Sequence, residues 1–162
     1  MITTRTATFH DVESISALLM ANSADRGGAL YGDWSVGVVR NCITSGQLII
    51  VAMDGVRLLG VLFTSETARA SAPPVLAMLA AWPGSADAYV YGPVCIDETA
   101  RGKGVLEALH ADLVRRRPGR EAILFIKANN PRSLHAHARL GMVQVASFTL
   151  HGEVFAVLSG RS

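Results

Sequence analysis

The sequence predicts an α/β (α+β) fold: a mixed, mostly antiparallel sheet of about seven strands with a parallel, splayed central pair, flanked by four or more helices. Three observations carry this. Strand-like and helix-like patterns alternate through the C-terminal half, as parallel crossovers require. The dipeptides Asp54-Gly55 and His151-Gly152 each join two strand-like runs, so the remainder is antiparallel. Gly92-Pro93 interrupts an apolar strand, where a bulge or local splay is expected. A length of 162 residues points to one domain over 1–162.

The elements follow in order. Residues 4–9, TRTATF, alternate polar and apolar side chains as a half-buried strand does. Over 10–23, Val12, Ile15, Leu18 and Leu19 recur at spacings of three and four and mark an amphipathic helix. Residues 24–33 read as a glycine-rich loop, and 34–46 as a second helix despite Val and Gly, both poor helix formers. Residues 47–66 form a hairpin about Asp54-Gly55. The inserted segment 72–87 holds a short helix with Pro74 in its first turn and Pro83-Gly84 at its end. A strand follows over 88–96. The helix over 103–117 aligns Val105, Leu109 and Leu113 on one face and is stopped by Pro118-Gly119. Residues 121–128 are a near-continuous apolar strand, buried on both faces. Residues 130–142 form a helix with Pro131 at its start and Gly141 past its end. Two alternating strands, 143–150 and 153–159, complete the sheet.

Composition excludes several classes. Half the residues are apolar and 17% are charged, which excludes disorder. A net charge of +2 gives no basic face for nucleic acid. Arg115-Arg116-Arg117 falls at a helix end, where cations suit the macrodipole, and reads as a solvated terminus. Cys42 and Cys95 match no metal or redox spacing, and no metal site is expected. The N-terminus has no apolar signal segment and no run reaches a membrane span, so the expectation is a cytoplasmic protein without a membrane partner. Self-association through the C-terminal strands, as a homodimer, is compatible with the pattern.

The stretch Arg101-Gly102-Lys103-Gly104 lies between a strand and a helix. A helix N-terminus presents free N–H groups and about half a positive charge. Glycines let the backbone approach a bulky anion, and Arg101 and Lys103 add charge. The segment reads as a phosphate or pyrophosphate site. The P-loop pattern is absent, and the dinucleotide fingerprint fails because Glu107 stands where its third glycine belongs.

With these elements, the chain resembles the GCN5-related N-acetyltransferase (GNAT) family over nearly its full length. The family's pyrophosphate signature is Arg or Gln, two residues, Gly, one residue, then Gly or Ala. Arg101 and Gly104 match, and Leu106 stands at the small sixth position. A second signature matches at Asn130, Ser133, His137 and Gly141-Met142, with Met142 in place of Phe. The resemblance implies acetyl-CoA as co-substrate, bound by Arg101, Gly102, Lys103, Gly104, Val105 and Leu106, by backbone groups of Val94, Cys95 and Ile96 at the splay, and by Asn130, Ser133 and His137. Asn130 also suits the N-cap before Pro131.

The implied reaction is direct attack of an amine, from a small molecule or a peptide or protein, on the thioester. Many relatives place a Tyr acid where His137 stands. Proton transfer from Tyr to a thiolate is uphill by roughly 2 kcal/mol, whereas transfer from imidazolium is downhill. His137 is thus a feasible general acid; coenzyme contact or helix capping are its other readings. Glu66 and Tyr91 are the base candidates, with a solvated strand end and a packing ring as their alternatives. Asp97 and Glu98 shape the turn before the loop. The first two helices, the loop over 23–34 and the 72–87 segment would line the acceptor pocket. The competing readings are a non-catalytic GNAT-like module that holds CoA or senses a ligand, and a plain structural domain.

Overall fold

The computed structural model describes residues 1–23, 30 and 32–161. In chain order these form β1 (Thr3–Thr6), α1 (Val12–Ala21), α2 (Val36–Thr44), β2 (Ile49–Asp54), β3 (Arg57–Glu66), α3 (Pro73–Ala81), β4 (Tyr89–Ile96), α4 (Val105–Arg116), β5 (Glu121–Lys127), α5 (Pro131–Arg139), β6 (Val143–Leu150) and β7 (Glu153–Arg161). The sheet has seven strands in the order β1-β2-β3-β4-β5-β7-β6. β4 and β5 are parallel, while β1–β2, β2–β3, β5–β7 and β6–β7 are antiparallel. This is the mixed, mostly antiparallel sheet that the alternation and hairpins predict.

The chain divides into two compact units: Met1–Thr64 with Gly92–Arg116, and Ser65–Tyr91 with Arg117–Ser162. In the first unit, Val12, Ile15 and Leu19 of α1 pack with Val39, Val51, Val61, Phe63 and Cys95. The 3.6-residue spacing of the α1 side chains is what buries that stripe. β1 is shorter than the 4–9 run suggests, and Asp11 is the reason. Its carboxylate accepts from the Thr8 N–H at 2.7 Å and from both Arg5 Nη atoms at 2.7 and 2.9 Å. The chain therefore closes into a 3-10 turn over Phe9–Asp11, and α1 begins at Val12 rather than His10. The Arg5 hydrogen bond, then the Thr8 backbone, hold the Asp11 carboxyl below its usual range despite burial. α2 starts at Val36 because Ser35 caps it, accepting from the Val38 N–H at 3.4 Å.

α4 packs against β1 and β2. Its basic end is not simply solvated: buried Asp112 pairs with Arg116 at 2.8 Å and Arg115 at 3.1 Å. Gly60 in β3 is required by close approach. A Cβ there would lie 2.9 Å from Ile96 Cδ1, 3.0 Å from Val105 Cγ1 and 3.1 Å from the Cys95 carbonyl oxygen.

In the second unit, α3 packs on β5 and β6, burying Met78 with Ala88, Val90, Ile123 and Val157. Phe148 and Phe155 stack at 5.0 Å between centroids, and Phe125 meets both edge-on. β5 is apolar between Glu121 and Lys127, and the buried Glu121 carboxylate accepts from Trp82 Nε1 at 2.9 Å, Ser85 N–H at 2.7 Å and Ser159 Oγ at 2.5 Å. Burial alone would raise this carboxyl. The Ser159, Trp82 and Ser85 donors outweigh it and take the value down to about 2. The inserted segment is therefore a docked layer, fastened at Trp82 and Ser85 through Glu121.

Candidate active site

The anion-loop residues are built in the first unit. The Asp97 N–H donates to the Leu59 carbonyl at 2.8 Å, which ends β4. The Asp97 carboxylate then accepts from the Thr99 N–H at 2.9 Å and Thr99 Oγ1 at 2.6 Å, closing the 3-10 turn Glu98–Ala100. Arg57 bonds both Asp97, at 3.4 Å, and the Thr99 hydroxyl. These bonds, those to Thr99 first, hold the Asp97 carboxyl below its usual range. Asp97 shapes the turn, as the sequence suggests.

Residues 101–104 are exposed and lead into α4. Gly102 (φ +74°) and Gly104 (φ +84°) take conformations that other residues rarely adopt, and among the described residues, chain neighbours aside, no atom lies within 4 Å of a Cβ placed on either. The space above them is open. Val105 is buried and fixes the first turn, whose first bond runs from the Ala108 N–H to the Gly104 carbonyl at 3.1 Å. Leu106 is half-buried and Lys103 exposed. Arg101 Nη2 donates to Asn22 Oδ1 at 3.0 Å. An open glycine turn with two cations at the start of a 12-residue helix fits an anionic, phosphate-bearing group.

Val94 and Ile96 are half-buried in the last part of β4, and Cys95 is buried with Sγ 3.9 Å from the Leu18 carbonyl. Burial pushes the Cys95 thiol up to about 12, which leaves it an inert packing group. The Gly92-Pro93 bond is cis, and Pro93 has no N–H to offer a neighbouring strand. The parallel ladder holds Tyr89 opposite Ala122 and Val90 opposite Ile123, while β4 runs on to Ile96 and β5 to Lys127. The paired register is thus shorter than either strand.

In the second unit, Asn130 caps α5, with Oδ1 accepting from the Ser133 N–H at 3.3 Å. Pro131 follows at the first helical position, as predicted. His137 is 2% exposed and Tyr91 3% exposed. Tyr91 Oη lies 3.0 Å from His137 Nε2, and the rings meet edge-on at 5.4 Å. His137 Nδ1 lies 2.8 Å from the Ser133 carbonyl oxygen, which can only accept. Nδ1 therefore carries the proton, and in the neutral ring Nε2 accepts from the Tyr91 hydroxyl. Burial, with Tyr89 adding to it, pushes the Tyr91 phenol well above the usual tyrosine range, so it keeps its proton. Ser133 thus contributes its carbonyl to His137; its hydroxyl is more distant, at 3.4 Å. His135 is exposed, and buried Met142 packs beside Gly160.

The structure brings His137 and Tyr91 together but holds Glu66 elsewhere. Glu66 is exposed at the end of β3 and pairs with Arg120 at 3.0 Å. Arg120 also donates to the Asp87 carbonyl at 2.8 Å and lies over the Tyr89 ring. Of the expected acceptor loop over 23–34, residues 24–29 and 31 lie outside the described residues. Two participants escape sequence reading. Asn22 looks only like a helix-ending residue, and Glu121 only like the polar first residue of a strand. Among the described residues no group of three or more His, Cys, Asp or Glu could hold a metal ion, and no helix is long and apolar enough to cross a membrane.

No protein-family model and no curated protein matches the chain. Solved structures do. The N-acetyltransferase from Staphylococcus aureus Mu50 superposes with a TM-score of 0.74 at 18% identity, covering 99% of this chain and 98% of that one. A GNAT superfamily phosphinothricin acetyltransferase from Sinorhizobium meliloti, in complex with acetyl-CoA, gives 0.72 at 21% identity, covering 99% and 88%. The chain has the GNAT fold. Arabidopsis thaliana NAA60, in complex with acetyl-CoA, shares that GNAT fold with a TM-score of 0.71 at 15% identity, covering 99% and 98%.

Proposed function

We propose that this protein is an acetyl-CoA-dependent N-acetyltransferase that acetylates an amine of a small molecule, a peptide or a protein. The observation that carries the reading is the open Arg101–Gly104 turn at the start of α4, at the end of the strand whose parallel pairing is so short. Acetyl-CoA bound to the structural neighbours supports the same ligand.

The residues would divide the work as follows. Arg101, Lys103 and the N–H groups of the turn bind the pyrophosphate. Backbone groups of Val94, Cys95 and Ile96 hold the pantetheine arm and polarise the thioester carbonyl. The amine attacks that carbonyl, the C–N bond forms, and the C–S bond breaks with its electron pair on sulfur. The nitrogen gives up one proton and the thiolate takes one. Glu66 would need to leave Arg120 to serve as the base, and Tyr91 is engaged as a donor, so a water chain is the better route for the first proton.

The His137–Tyr91 pair supports a route for the second. A His137 imidazolium donates through Nε2 to Tyr91 Oη while Tyr91 passes its own hydroxyl proton to the thiolate. Net transfer runs from imidazolium to thiolate, and no free tyrosinate forms. The pair ends as a neutral imidazole accepting from a phenol, the arrangement its distances describe.

The test is a thermal shift with acetyl-CoA, followed by thiol release with a panel of amines. The proposal expects a shift, and release with at least one amine class. Binding without release from any amine favours a non-catalytic CoA-holding module. No shift removes both readings.

A further inference from the structure

We propose that Asn22 is a positioning residue of the coenzyme loop: it holds the Arg101 guanidinium at the rim of the Arg101–Gly104 turn, and binding of a pyrophosphate-bearing coenzyme depends on that hold. The inference rests on the coenzyme reading above. Asn22 closes α1, and its side-chain amide is used at both ends. Nδ2 donates to the Leu18 carbonyl at 2.9 Å, and Oδ1 accepts from Arg101 Nη2 at 3.0 Å. A carbonyl only accepts and a guanidinium only donates, so this orientation of the amide is the one that satisfies both. The backbone of Asn22 is engaged as well: its N–H donates to the Leu19 carbonyl at 3.1 Å, and its carbonyl accepts from the Leu30 N–H at 3.2 Å. A residue fixed at four atoms is a rigid support for a long side chain that otherwise samples many rotamers.

The electrostatics agree with that placement. The Arg101 charge acts on Cys95 and Asp97, which flank the end of β4. Asp97 is already committed to Thr99 and Arg57 and to the turn it closes. Asn22, a neutral acceptor, steers Arg101 without cancelling its charge, and the remaining guanidinium donors stay available for phosphate oxygens. An acidic residue at position 22 would neutralise the group the loop needs.

The test is a double-mutant cycle on acetyl-CoA affinity with Asn22→Ala, Arg101→Ala and the double variant, measured by calorimetry. S-acetylpantetheine, which lacks the pyrophosphate, is the control substrate in thiol release. Asn22→Ala should raise the Kd for acetyl-CoA about five- to tenfold, and the double variant should bind no worse than Arg101→Ala alone. The KM for S-acetylpantetheine should not change. Because Asn22→Ala also removes a helix-end bond, Asn22→Ser is the second variant. Its hydroxyl can bond back to the Leu18 carbonyl but is too short for the guanidinium, and it should lose the same affinity. If the parent protein binds acetyl-CoA and the Asn22 and Arg101 effects multiply, or Asn22→Ser binds normally, Asn22 does not position Arg101. If the parent protein does not bind acetyl-CoA, the coenzyme reading itself falls and takes this inference with it.

Discussion

Tyr91 Oη and His137 Nε2 lie 3.0 Å apart with both side chains buried, so a phenol from β4 and an imidazole from α5 form one hydrogen-bonded pair. The Ser133 carbonyl fixes the opposite ring nitrogen and thereby the direction of the bond.

The proton route through this pair predicts that Tyr91→Phe lowers turnover by about a hundredfold, within the range of lost acid catalysis, with little change in the KM for acetyl-CoA. It also removes the buried Tyr91–His137 hydrogen bond, at a cost of about 0.5–1.5 kcal/mol of stability. Steady-state kinetics and thermal unfolding separate the two effects. As the proposed acid His137 acts in its protonated form, so His137→Ala should remove the fall in rate at high pH from the pH–rate profile. An unchanged profile in both variants leaves the pair a purely structural tie.

Glu121 predicts an acid-dependent stability. Its folded value of about 2 lies below the ordinary carboxyl value, so its contribution is fully present above about pH 4.5 and is lost as pH falls towards 2. The size is roughly 3 kcal/mol. Glu121→Gln should be destabilised at pH 7, because the amide NH2 must face one of the donors from Trp82, Ser85 or Ser159. The gap to the parent protein should narrow below pH 4.5. Equal unfolding midpoints at pH 7 would contradict this.

Gly104 distinguishes a ligand cradle from an ordinary turn. At φ +84° a side chain strains the backbone by about 1–2 kcal/mol, and in open space it also occupies the room above the turn. Gly104→Val should raise the Kd for acetyl-CoA at least tenfold, well beyond its effect on S-acetylpantetheine. A variant with parental affinity would show that the anion binds elsewhere.

Gly60→Ala should destabilise by about 1–3 kcal/mol through overpacking, since the new methyl meets Ile96, Val105 and the Cys95 carbonyl at 2.9–3.1 Å. Chemical denaturation measures it. A neutral result would mean that β4 and α4 yield without strain.

The sheet and the open glycine turn before α4 were legible because their signals are local. Asp54-Gly55 and His151-Gly152 mark hairpins by turn chemistry alone, Asn130-Pro131 marks a helix start, and the glycines at 102 and 104 mark backbone that other residues resist. What was hidden depends on particular side-chain pairings, most of them between residues distant in sequence. β1 ends early because Arg5 and Thr8 converge on Asp11. Glu121 draws in Trp82 and Ser159, each more than 35 positions away. Asn22 reaches Arg101 across 79 positions. Side-chain periodicity carries no record of such pairings, so the partners of His137, Glu66 and Arg101 needed the folded chain.

The most direct measurement is mass spectrometry of an amine panel incubated with the protein and isotopically labelled acetyl-CoA. The account predicts labelled amide on at least one amine, in proportion to protein and sharply reduced in Gly104→Val. Label that remains in acetyl-CoA, or passes only to free acetate, would contradict it.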